Sequence, residues 1–230
     1  MKQYTYLIID LACIFVPFIA SFYPKHAFYK EWKWFFPANL LVAAFFLIWD
    51  YLFTDMKIWG FNPDYLTGWY IGNLPIEEVL FFICIPYACV FTYFAFKYLI
   101  HNNPLKAQHR KLSLLLAVGL LGLGLWGLPR WYTSTTFLLT AAYLGYCLFV
   151  KKDLAFAYLA YFSILPFFFA SNGLLTGSFL EAPIVWYDHT ENLDFRLGTI
   201  PVEDSIYGLL LILWNIDLYE YFKNKNHKNR

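Results

Sequence analysis

Seven stretches of the chain are long, mostly apolar runs: 4–22, 34–53, 76–98, 112–129, 133–150, 154–172 and 201–222. Each is close to the 17–25 residues a helix needs to cross hydrocarbon. The pattern therefore predicts seven transmembrane helices, with a turn at GLPRW (127–131) between the fourth and fifth. Two long connections, 54–75 and 173–200, are aromatic and acidic. With seven crossings, Lys2, Lys57, Arg130 and Arg196 fall on one side, and the other 13 of the 17 Lys and Arg on the opposite side. Basic segments favour the cytoplasm, so the N-terminus is expected outside and the C-terminus in the cytoplasm of a multi-pass protein of the cell (inner) membrane. The first run carries Asp10 and is followed by no small-residue cleavage site, so it reads as a retained span.

Composition agrees. Of 230 residues, 60% are hydrophobic and only 14% charged, whereas a soluble domain has about 25% charged residues. The lipid bilayer is the expected surrounding and no nucleic-acid partner is expected, though the net charge of +1 by itself argues neither way. Cys13, Cys84, Cys89 and Cys147 all lie in apolar runs with no ligand spacing, so neither a disulfide nor a metal site is expected.

The pattern also repeats. LPIEEVLFF at 74–82 returns as IPVEDSIYG at 200–208, an offset of 126. Upstream, WDYLFT (49–54) parallels SNGLLT (171–176) at 122, and NPD (62–64) lies opposite WYD (186–188) at 124. Spans one to three thus map onto spans five to seven, with span four as a connector. This predicts an all-α polytopic membrane protein built as two parallel three-helix repeats related by a pseudo-two-fold axis along the membrane normal. The expected division is 1–98 and 133–230 as the repeats, with 99–132 as the connector.

The repeat places Glu77 and Glu78, then Glu203 and Asp204, at the starts of spans three and seven. Proline at the first helical position and acids in the first turn are ordinary helix starts. Yet ionisable groups entering hydrocarbon are costly and usually functional, and these occur twice in register. Each pair also has an aromatic four residues on from its first acid, Phe81 after Glu77 and Tyr207 after Glu203, on the same helix face. Adjacent carboxyls away from water resist double ionisation, while the helix dipole opposes proton retention. A protonated carboxyl beside apolar volume is a general acid for an apolar substrate. Aromatic faces stabilise a nearby cation by about 2 kcal/mol each when dry. The constellation suits protonation of a carbon–carbon double bond.

Other signals are weaker. GLGLWG (122–127) matches a dinucleotide-binding pattern, but no strand precedes it. Its glycines instead predict close helix approach. Asp50 lies inside span two opposite Asn172 of the repeat and is expected to support the site; Asp10 and Asp217 are the other intramembrane acids. His101, His109 and His227 belong to basic segments and are expected in water. There is no aspartate-rich motif to hold a magnesium diphosphate.

The twice-occurring PIEE and PVED at helix starts, each behind an aromatic loop, resemble the membrane-integral lycopene cyclases, here in their tandem-domain form. The resemblance covers nearly the whole chain. It implies a cofactor-independent, redox-neutral closure of the acyclic ends of lycopene to β-rings, by way of γ-carotene to β-carotene, and contact with other carotenoid biosynthesis enzymes. By position, Glu77, Glu78, Glu203 and Asp204 match the family's acidic pairs, with Glu77 or Glu203 favoured as donor because Phe81 and Tyr207 stand one turn beyond them. Two other activities fit the same residues: a carotenoid hydratase, in which water captures the same cation, and a small proton-coupled carrier.

Overall fold

The computed structural model describes residues 2–228, with side chains as far as Lys225. His227 therefore lies outside the described side chains. Seven α-helices form among the described residues: α1 (Thr5–Ala20), α2 (Trp32–Asp55), α3 (Ile76–Leu99), α4 (His109–Trp126), α5 (Trp131–Phe149), α6 (Ala155–Leu175) and α7 (Val202–Lys228). The chain is an all-α membrane protein in which α1–α3 and α5–α7 form parallel repeats joined by α4.

Five helices are long and apolar enough by themselves to cross a membrane, namely α1, α2, α3, α4 and α6. The exceptions, α5 and α7, turn polar residues inward. Thr133, Ser134, Thr136 and Thr140 of α5 and Asn215 of α7 are all buried. Asn39 of α2 donates to Asn215 at 3.0 Å and to the Phe82 carbonyl at 2.9 Å, a polar tie of the kind that joins helices in lipid. The outward faces are apolar: Phe15, Ile19, Leu115 and Phe167 are exposed, as hydrocarbon contact requires.

The two helices that open on acidic pairs are the inner ones. α3 contacts α1, α2, α6 and α7, and α7 contacts α2, α3, α5 and α6. At their far ends Lys97 of α3 pairs with Glu220 of α7 at 2.8 Å, so α3 and α7 run parallel and their acidic starts share one end of the bundle. The connector α4 packs along α5, where a Cβ on Gly124 would press on Leu138 and one on Gly127 on Thr133, both at 2.8 Å. Gly122 faces open space, so only the later part of GLGLWG serves close approach.

Six short strands cap the acidic end: β1 (Trp59–Phe61), β2 (Tyr70–Ile71), β3 (Leu74–Pro75), β4 (Val185–Tyr187), β5 (Arg196–Leu197) and β6 (Ile200–Pro201). β1 pairs with β4 antiparallel, with Gly60 opposite Trp186. Gly60 and Trp186 are also 126 residues apart, the offset of the two acidic motifs. One expectation changes. His109 is buried, accepting from the Leu154 amide at 3.4 Å with Asp153 at 3.6 Å from its Nε2. Asp217 sits away from the acidic end, held by Lys152 and by the Tyr143 hydroxyl at 2.9 Å. All four cysteines are free.

Candidate active site

Each acidic pair is delivered by a tight hairpin. β2 pairs with β3 through Tyr70–Pro75 and Ile71–Leu74, and β5 with β6 through Arg196–Pro201 and Leu197–Ile200, every position shifted by 126. The turns open on Gly72 (φ 65°) and Gly198 (φ 68°), left-handed conformations that glycine adopts without strain. A Cβ on Gly72 would also meet the Tyr51 ring at 2.8 Å. Proline then ends the second strand, and its fixed φ admits the first helical turn, where the acids sit.

The first acid of each pair is tied to the loop above it. Glu77 Oε1 accepts the Thr67 amide, and Glu203 Oε1 accepts the Leu193 amide, both at 2.7 Å. Thr133 adds a hydroxyl to Glu203 at 2.6 Å; the equivalent position in the first repeat is Leu7 and supplies none. Both glutamates are completely buried, and their Oε2 atoms have no hydrogen-bond partner.

The second acids face inward. The Tyr6 hydroxyl donates to Glu78 Oε2 and the Tyr132 hydroxyl to Asp204 Oδ1, each at 2.5 Å. Hydrogen bonds to ionised groups are short and strong. Asp204 receives two more, from Asn172 Nδ2 at 2.7 Å and from the Tyr187 hydroxyl at 2.9 Å. Burial and the neighbouring Asp204 push the Tyr187 hydroxyl well above the usual phenol range, so it stays a donor. Asp50 is buried as well; its Oδ1 accepts the Trp59 indole N–H while its Oδ2 has no partner. Asp10 is also buried near Glu77 and Glu78, with neither oxygen partnered.

Glu78 lies within electrostatic reach of both Asp50 and Asp204, and Tyr207 is within reach of all three. Around Tyr207 the aromatic rings close a box. Its ring meets Phe46 at 5.0 Å and Trp49 at 5.1 Å, edge to face. Trp59 meets Tyr132 at 5.0 Å, and Tyr132 stacks on Tyr187 at 5.8 Å. Phe81 stands outside these contacts, edge-on to Phe82 at 5.5 Å. The structure thus gathers Glu78, Asp204, Asp50 and Tyr207 in one buried, aromatic-lined cluster supplied by both repeats, with Glu77 and Glu203 tied to the loops above it.

Sequence reasoning overlooked Tyr6, Tyr132, Trp59 and Tyr187 as site residues. The repeat contains a signal for the first two, since the 126 offset sets Tyr6 on Tyr132. Trp59 and Tyr187 reach the site only through the β1–β4 pairing, which no local pattern reveals. Chemically, the cluster offers carboxyls able to give and take a proton, with aromatic faces beside them.

A family model described as Lycopene cyclase matches residues 3–96 and again 129–222. The two matches are themselves displaced by 126 residues and together take up most of the chain, which therefore belongs to the lycopene cyclase family. It is a membrane-embedded carotenoid cyclase. No curated protein and no solved structure matches it.

Proposed function

We propose that the chain closes β-rings on the acyclic ends of lycopene, giving γ-carotene and then β-carotene by a redox-neutral isomerisation. The observation that supports this most is the single cluster in which acids from both repeats meet the aromatic box around Tyr207. A carboxylic acid protonates the terminal double bond, and the tertiary cation is attacked by the neighbouring double bond. A carboxylate then removes a ring proton. One proton enters and one leaves, so the substrate changes neither mass nor oxidation state.

In this reading Glu77, Glu78, Glu203 and Asp204 form the acid–base set, with Glu78 and Asp204 facing the substrate and Glu77 and Glu203 fixing the loops over it. Tyr207, with Trp59 and Tyr132, presents π faces to the cation, Phe81 backs the first pair, and Asp50 supports Glu78. Residues 1–98 and 133–230 act as the two cyclase repeats around the 99–132 connector. The chain sits in the cell membrane with the acidic cluster at the outer side and the C-terminus in the cytoplasm, where 13 of 17 Lys and Arg gather. Its partners there are the bilayer and other enzymes of carotenoid biosynthesis.

The test is expression in a bacterium that accumulates lycopene, with the extracted pigments separated by chromatography and mass detection. Products of unchanged mass and shortened conjugation support the reading. Products heavier by one water indicate a hydratase, and untouched lycopene with the protein in the membrane contradicts both activities.

A further inference from the structure

The two halves of the cluster are not chemically equal, and the difference assigns a direction to the proton. Under the upstream offset of 122, Asp50 of α2 stands where Asn172 stands in α6. In the second half the Asn172 amide donates a hydrogen bond to Asp204. In the first half that donor is replaced by a second carboxyl, so Glu78 receives no amide and keeps the Tyr6 hydroxyl as its one donor among the described residues.

We propose that the Asp50–Glu78 pair is the proton donor of the cyclisation and Asp204 its proton acceptor. This rests on the cyclase reading above. Asp204 takes donors from three elements, Tyr132 of α5, Asn172 of α6 and Tyr187 of β4. That shell matches a carboxylate, since a protonated acid would leave a donor facing donors. Asp50 and Glu78 receive one donor each, Trp59 on Asp50 Oδ1 and Tyr6 on Glu78 Oε2. Asp50 Oδ2 is left buried with no partner. Buried carboxyls with so few donors are favoured in the protonated form, and Asp50 Oδ2 is a position open for the proton. The side chains that donate to the two, Tyr6 and Trp59, bring no cation that would discharge them.

The step balances. The π pair of the terminal double bond takes the proton from the Asp50–Glu78 pair, leaving a tertiary cation. The π pair of the next double bond forms the ring carbon–carbon bond and moves the cation onto the ring. Asp204 removes a proton from the adjacent ring carbon, and that C–H pair becomes the ring double bond. No electrons are exchanged, and the proton returns from Asp204 to the pair before the next ring closes.

The assignment separates two variants by the kind of product they make. Asp50→Asn, which gives the first half the amide of the second, is expected to leave lycopene unreacted, with ring formation lower by ~100-fold or more; Asp50→Glu recovers part of it. Asp204→Asn is expected still to consume lycopene, yielding rings with a displaced double bond or a water adduct, because the cation forms but its proton acceptor is gone. Unreacted lycopene alone from Asp204→Asn, or displaced and hydrated rings from Asp50→Asn, overturns the assignment. Membrane content and the absorption shift of bound lycopene are measured for each variant. One that does not reach the membrane is replaced by Asp50→Ala or Asp204→Ala, which also lack the carboxyl and are scored by the same product criterion. A wild-type chain that leaves lycopene untouched overturns the cyclase reading instead, a separate result.

Discussion

Gly60 lies opposite Trp186 at the centre of the β1–β4 ladder, and the two are also equivalent positions of the 126-residue repeat. An antiparallel pair in which a residue meets its own repeat partner lies on the pseudo-two-fold axis. The ladder therefore pins the two halves together directly over the place where their acids meet. A side chain on Gly60 would run into the Trp186 ring. Gly60→Val is expected to lower stability by about 1–3 kcal/mol through overpacking, and to loosen the cluster by shifting the adjacent Trp59 and Tyr187. Thermal unfolding in detergent, read beside cyclisation rate, checks both effects.

Tyr6→Phe and Tyr132→Phe each remove a 2.5 Å hydrogen bond from an inward-facing carboxyl while keeping the ring. Bonds to charged groups contribute about 1.5–3 kcal/mol. Asp204 retains two other donors, whereas Glu78 loses its hydroxyl partner, so Tyr6→Phe is expected to slow turnover more than Tyr132→Phe. Steady-state kinetics on lycopene in membranes distinguish them, with the change falling on kcat.

Glu77 and Glu203 provide a test of anchoring against proton transfer. A glutamine at either position still offers Oε1 to the Thr67 or Leu193 amide. Glu77→Gln is therefore expected to keep the loop in place and retain measurable activity, while Glu77→Ala releases the loop and loses it. Protease sensitivity of 54–75 reports the loop, and pigment analysis reports the activity.

At the opposite end, the Lys152–Asp217 pair is about one-quarter exposed, and burial lowers the affinity of Lys152 for its proton. Removing one member of such a pair leaves a costly unpaired charge, whereas apolar replacement of both is far milder. Asp217→Leu alone is expected to destabilise by about 2 kcal/mol, and Lys152→Met with Asp217→Leu to restore most of it. Neither change should alter ring type. A double-mutant cycle of unfolding midpoints, with pigment analysis, decides.

Much of this architecture was legible because the constraints are local. Pro75 and Pro201 before paired acids mark where α3 and α7 begin, and the apolar runs place every helix within a few residues. α7 continues past 222 to Lys228 because its polar tail contains no Gly or Pro to stop it. Polarity along α5 and α7 was harder to read, since only the packed bundle shows their Thr and Asn side chains turned inward. The repeat made the meeting of the acids foreseeable; their inequality was not. Asn172 and Asp50 differ by one atom type, and it took the surrounding donors to show what that difference does. Trp59 and Tyr187 come together across more than 120 residues of chain, beyond any pattern in a window.

The central claim is that proton chemistry on a carotenoid occurs in the cluster shared by the two halves. The direct measurement is the initial rate of β-ring formation on lycopene by membranes containing wild type or Glu78→Gln at matched protein levels. The account predicts β-carotene from wild type, through γ-carotene, and a rate lower by about 100-fold or more for the variant. A Glu78→Gln chain forming β-carotene at the wild-type rate would contradict it.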